Sequence, residues 1–181
     1  MPDSKRLKTL KRLCDYLETE ITEANGYPFT LAGVHRGKML FGDEDALPCV
    51  SILDNLNPDR DMSRVGAEEG VQQKDNWTLL VQGWVDDDED NPTDPALELM
   101  ACVKKALAKI DNPRYESTHP LVYGLGGLVL GIEIEPGTVR PPSPEISAKA
   151  FFWMRVILKF YEDVNDPFDY GRSFVPDPPT P

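Results

Sequence analysis

The chain has 181 residues, 40% of them hydrophobic, which suits one domain burying a single core without disulfide or metal staples. Lys plus Arg number 19 against 31 Asp plus Glu, and this net charge of −12 excludes a general grip on nucleic acid, which needs a basic footprint. The whole excess sits in residues 43–94, whose 15 acids and 3 bases leave the rest of the chain neutral.

No apolar run approaches the ~20 residues of a membrane-spanning helix. The opening Met1-Pro2-Asp3-Ser4-Lys5-Arg6 contains no apolar signal segment, so the expectation is a protein made and kept in the cytoplasm. Cys14, Cys49 and Cys102 are odd in number and far apart, and each lies in an apolar segment. Without a CxxC pair they are expected to be buried, reduced thiols.

Residues 4–24 read as an amphipathic helix, with Leu7, Leu10, Leu13, Leu17 and Ile21 on one stripe. Ser4 or Asp3 can cap its start, and Asn25-Gly26 offers a left-handed stop. The helix is charged against its dipole, with Lys5, Arg6, Lys8, Lys11 and Arg12 early and Asp15, Glu18, Glu20 and Glu23 late. Either this is a solvated face with Lys11 paired to Asp15, or the basic half meets an acidic partner surface.

Residues 29–41 are expected to form a strand or hairpin arm interrupted by Gly33 and Gly37. A short strand follows at 49–53, then a long polar stretch from Asp54 to Asp75 without periodicity. Residues 76–85 predict a strand with Trp77, Leu79, Val81 and Val85 on one face and Thr78, Gln82 and Trp84 on the other. An acidic turn at Asp86–Asp90 leads to a second helix, with Asp94 as N-cap, Pro95 at its first position and Asp111-Asn112-Pro113 at its end. Its expected rows are Leu97, Met100, Ala101, Lys104, Leu107 and Ala108.

The Gly-rich segment Tyr123–Leu128 precedes a strand, whereas a phosphate loop follows one, so it reads as a close-packed bend. Leu128–Glu135 predicts a strand with Leu128, Leu130, Ile132 and Ile134 facing one way. Residues 150–161 predict the longest strand, with Phe152, Met154, Val156, Leu158 and Phe160 as an apolar face. Its other face, Trp153, Arg155, Ile157, Lys159 and Tyr161, is mixed and suits a surface another protein could cover. Five prolines among residues 166–181 favour an extended arm. The fold class implied is α+β, a mixed or antiparallel sheet with two helices on one face, in a single domain over 1–165 followed by that Pro-rich arm.

Constellations for catalysis are weak. His35 and His119 lack a carboxylate or histidine at metal-ligand spacing. The runs Asp86–Asp90 and Asp54/Asn57/Asp59/Asp61 lack the glycine and spacing of a calcium loop, so they read as solvated acidic loops. No GxSxG elbow is present. The expectation is a non-enzyme with no cofactor and no metal.

The layout resembles the tail terminator, or tail completion, proteins of long-tailed bacteriophages. The resemblance is carried by the opening helix RLKTLKRLCDYLETEI, its exit ANGYPFTLAGVHRGKMLF, the strand PCVSIL, an acidic loop, the strand WTLLVQGWV and the helix DPALELMACVKKALAKI. It covers roughly residues 5–110, with a looser match of architecture over 128–161 and none for the arm. It implies a structural virion protein at the head-proximal end of the tail. There, a ring of copies, expected to be a hexamer, would cap the tail tube protein, stop its polymerisation and dock to a neck or connector protein while DNA passes through. Other head–tail joining adaptors, or a monomeric cellular binding module, are the competing readings. The expected contact residues are Lys5, Arg6, Lys8, Lys11, Arg12, Arg60, Arg64, Trp84, Asp86, Asp87, Asp88, Trp153 and Ile157.

Overall fold

The computed structural model describes residues 3–42, 44–54, 72–143, 149–163 and 166–168. Most of the expected polar stretch at 54–75 and nearly all of the Pro-rich arm fall outside these residues.

Helix α1 spans Lys5–Glu20. Ser4 caps it as expected, its Oγ accepting from the Leu7 N–H at 3.3 Å. The helix stops four residues earlier than the apolar spacing suggests, because Asn25 Nδ2 donates to the Thr19 and Glu20 carbonyls at 3.0 Å each. Those carbonyls would otherwise be the orphans of the last turn. Gly26 then turns the chain in the left-handed region, at φ 78°. The buried face also differs from the leucine stripe. Leu13 and Leu17 are fully buried, but Leu7 is 38% exposed, and Lys5, Thr9 and Tyr16 take buried positions. Tyr16 can do so because its hydroxyl donates to the Ala106 carbonyl at 2.8 Å.

Among the described residues six strands form one mixed sheet: β1 (Gly33–Arg36), β2 (Cys49–Asp54), β3 (Gln72–Val85), β4 (Gly131–Ile134), β5 (Thr138–Arg140) and β6 (Ala150–Asp163). The order is β1-β2-β3-β6-β4, with β5 also paired to β6. Only β1 and β2 run parallel; the other pairs are antiparallel. The spine is the β3–β6 ladder, in register from Gln72 opposite Asp163 to Val85 opposite Ala150. β3 starts four residues before the expected Asn76, since pairing with β6 holds even its polar end extended. The expected arm at 29–41 is a strand only over Gly33–Arg36. The expected strand at Leu128–Glu135 narrows to Gly131–Ile134, which leaves Leu130 60% exposed and corrects its place on the inward face.

Helix α2 spans Asp94–Ile110, with Thr93 rather than Asp94 at the cap. Its inward row is Ala96, Leu99, Val103, Ala106, Leu107 and Ile110, all fully buried. The expected row was turned by about one position: Leu97 is 47% exposed, and Ala101 and Ala108 are exposed. Both helices cover one face of the sheet. Beneath them lie Val50, Ile52, Leu79, Val81, Phe152, Met154, Val156, Leu158 and Phe160 in a single core. Gly83 is required there, because a Cβ would sit 2.3 Å from Phe152 Cε1.

The Gly-rich bend is a four-residue turn at Gly124–Gly127 with left-handed backbone, including Leu125 at φ 53°. A left-handed non-glycine costs of the order of 1–3 kcal/mol. Burying the Leu125 side chain to 1% exposure offsets a cost of that size.

Candidate interaction site

The second face of the sheet carries side-chain rows set by strand register: Cys49–Trp84–Phe151–Arg140, then His35–Ser51–Gln82–Trp153–Thr138, then Leu53–Leu80–Arg155, then Thr78–Ile157–Glu133. Among the described residues no helix covers them. Over the first row the chain supplies its own cover, because Phe41 lies with its ring centre 4.1 Å from that of Trp84 and Leu47 packs alongside. Trp84 is therefore only 4% exposed and is withdrawn from the contact surface expected for it. Sequence alternation placed it on the correct face; it could not reveal the loop that folds back over it.

Towards β4 the face is open and mixed. Trp153 and Ile157 are half-buried, and so are Thr78 and Leu80. Arg140 places its guanidinium 5.6 Å from the Trp153 ring centre. Two ion pairs fence this area, Arg155 Nε to Glu135 at 2.6 Å and Lys159 Nζ to Glu133 at 2.7 Å. The Glu133 carboxylate, hydrogen-bonded to Lys159, raises the pKa of that ammonium. Within the His35–Thr138 row, Ser51 Oγ and Gln82 Oε1 are buried, with no hydrogen-bond partner among the described residues.

The expected basic patch on α1 is mostly spent inside the chain. Lys5 is 7% exposed, its ammonium 5.3 Å from the Phe160 ring centre. Arg6 pairs with Glu162 at 3.0 Å and lies 5.1 Å from the Trp77 ring centre. Lys11 pairs with Asp3 at 2.6 Å, not with Asp15. Lys8 is exposed and Arg12 half-buried. Of the charges that oppose the helix dipole, Lys5, Arg6 and Lys11 are thus held by aromatic rings and carboxylates brought up by β3, β6 and the N-terminus.

In the acidic turn, Asp86 pairs with Lys149 at 2.7 Å, and Asp88 Oδ1 accepts from the Asp90 and Asn91 N–H groups at 3.0 and 2.7 Å. Asp87 is exposed. Arg60 and Arg64 lie outside the described residues, as do Asn57, Asp59 and Asp61. The structure does not gather the expected contact residues into one patch: Trp153 and Ile157 share the open sheet face, while α1 lies on the other side of the sheet.

Cys14, Cys49 and Cys102 are free and buried, as expected. Burial pushes the Cys14 and Cys49 thiols up to about 12 and also raises Cys102. The His35 ring lies tilted against Phe41, with 5.3 Å between ring centres, and His119 is exposed beside Thr118. Among the described residues no group of three or more His, Cys, Asp and Glu could hold a metal ion, and no helix is long and apolar enough to cross a membrane.

No protein-family model matches the chain, and no curated protein matches it.

Proposed function

We propose that the chain is a structural assembly protein of a phage tail, a terminator whose copies form a ring on the last layer of the tail tube and present a docking face to the neck. One observation carries the reading. One face of the sheet is sealed by two helices, and on the second, which no helix among the described residues covers, Trp153, Ile157, Thr78 and Leu80 are half-buried and fenced by two ion pairs. A partly covered apolar centre with a charged rim is the pattern of a protein–protein contact. We assign that face to the tail tube protein. The α+β architecture with two helices on one sheet face agrees with the resemblance noted from the sequence.

The test is native mass measurement of the purified chain, alone and with the tail tube protein of the same virion. The expected result is a ring of several copies that binds tube ends and halts tube growth. A chain that stays monomeric at all concentrations and ignores the tube would sink the proposal. Binding to a connector but not to the tube would move the protein to a neck adaptor.

A further inference from the structure

A groove runs between α1 and the turn that leads to β4. Its volume is about 250 Å³, and it is lined by Arg12, Asp15, Tyr16, Thr19, Leu121 and Val122. That is roughly eight water volumes at ~30 Å³ each, the size of one phenylalanine side chain. The floor is fixed: the buried Tyr16 donates its hydroxyl to the Ala106 carbonyl at 2.8 Å, and Thr19 Oγ1 donates to the Asp15 carbonyl at 2.8 Å. The wall is apolar, with Leu121 65% exposed and Val122 half-buried.

The C-terminal arm sets out from the head of this groove's own helix. The Lys5 N–H, one of the orphan donors in the first turn of α1, donates to the Pro167 carbonyl at 2.9 Å. Lys5, Thr9, Arg12, Tyr16 and Thr19 recur at spacings of four and three, so they share one side of the helix. The residue that holds Pro167 and the residues that line the groove therefore lie on one stripe. At 1.5 Å per residue, Arg12 to Thr19 sit ~10–21 Å beyond Lys5 along the helix.

Length decides which residue of the arm can fill the groove. A fully stretched chain covers at most ~3.3–3.6 Å per residue, so Tyr170 reaches no more than about 11 Å from Pro167, the near edge of the groove. Phe174 reaches up to about 25 Å, enough to stop anywhere along it. Phe174 also opens the run Phe174-Val175-Pro176, the one stretch of three apolar residues in 169–181. Pro176 biases Val175 towards extended backbone, which lowers the ordering cost of laying this run along a helix.

We propose that residues 169–181 run back along α1 of the same chain and seat Phe174 in the groove between α1 and Leu121/Val122. The arm is then a strap that ties the end of β6 to the turn before β4, covers Leu121 in the lone chain and closes this groove to other partners. The strap is made within one copy, so it does not rest on the ring or on tube binding.

The experiment is disulfide trapping in the full chain. Ser173→Cys, next to the anchoring Phe174, is combined with Leu121→Cys and, as a control, with Leu97→Cys, an exposed position on α2. The native thiols are buried and stay out of the exchange. The expected result is a disulfide within one chain that forms at least tenfold faster with Leu121→Cys than with Leu97→Cys, and that loses this preference when Phe174→Asp is added. Equal rates for the two pairs, or a preference that survives Phe174→Asp, overturn the strap. A disulfide that joins two chains overturns the same-chain path and gives the groove to a neighbour's arm. Thermal unfolding within a few degrees of the parent checks that each variant folds. If Leu121→Cys does not, tryptic cleavage after Arg172 takes its place: Phe174→Asp alone should speed it at least tenfold, and an unchanged rate overturns the strap. Both readouts come from the single chain, so the ring and the tube contact stand or fall separately.

Discussion

Arg6 and Glu162 meet at 3.0 Å across 156 residues of sequence, joining the first turn of α1 to the far end of β6. The Arg6 guanidinium also lies over Trp77 and Phe160, so one side chain ties the helix to both strands of the spine. Both partners are partly shielded, with side-chain exposures of 35% and 19%. Arg6→Ala should therefore cost about 1–2 kcal/mol from the lost ring contact and charge-assisted bond. Lys8→Ala, at an exposed position, should stay within about 0.5 kcal/mol. Urea unfolding of both variants decides it. Equal, negligible losses would return Arg6 to a solvated face.

The inward row of α2 is tested by a contrast. Leu99 is fully buried and Leu97 is 47% exposed, although they are two residues apart. Leu99→Ala should cost about 2–5 kcal/mol, and Leu97→Ala less than about 0.5 kcal/mol. Leu158→Ala should behave like Leu99→Ala, being fully buried beneath the helices. A reversed ranking of Leu99 and Leu97 would mean that α2 is rotated.

These contrasts also show where the sequence was legible. Strict alternation made the faces of β3 and β6 readable, because a one-residue slip would turn every apolar side chain outward. Helix faces were harder. In α2, alanines sit on both sides, so Leu97-Met100-Ala101 looks as apolar as Ala96-Leu99-Val103 until tertiary packing chooses. In α1, Lys5 and Tyr16 are buried through ring contact and a hydrogen bond, which hydropathy spacing does not see. Strand β5 escaped notice because three residues after Glu135-Pro136-Gly137 carry too little pattern; its pairing with β6 makes it a strand. At the site, Trp153 and Ile157 were visible as odd members of a mixed face, and the cover over Trp84 was not.

The buried thiols predict loss of stability in alkali. Burial raises Cys14 and Cys49 from the ordinary 9.0 to about 12. A folded pKa above the unfolded one means the folded chain holds its proton longer, so the contribution is full below pH ~9 and declines as pH rises towards ~12. Each thiol should remove roughly 1.4 kcal/mol per pH unit across that window. The urea midpoint should fall clearly from pH 8 to pH 10.5, and a thiol-alkylating reagent should label the folded chain slowly at pH 8. Rapid labelling at pH 8 would show that these thiols are open to solvent.

Ile157 offers the sharpest test of the open sheet face. It sits opposite Thr78 on β3 and Glu133 on β4, half-buried between Arg155 and Lys159 along β6. In the lone chain, Ile157→Asp gives up part of an apolar contact and sets a carboxylate opposite Glu133, beside two cations already paired with Glu135 and Glu133. It should cost about 1–2 kcal/mol of stability and leave the chain folded, which thermal unfolding checks. Beneath a partner the balance changes, because a carboxylate replaces an apolar group at the centre of the contact and must shed its water. The loss should reach at least 1.4 kcal/mol, a tenfold weakening of tube binding. Titration of tube protein against the parent and the Ile157→Asp variant reads the difference directly. Unchanged tube binding would mean that this face is not the contact, leaving Trp153 and Ile157 as ordinary half-covered residues of the sheet.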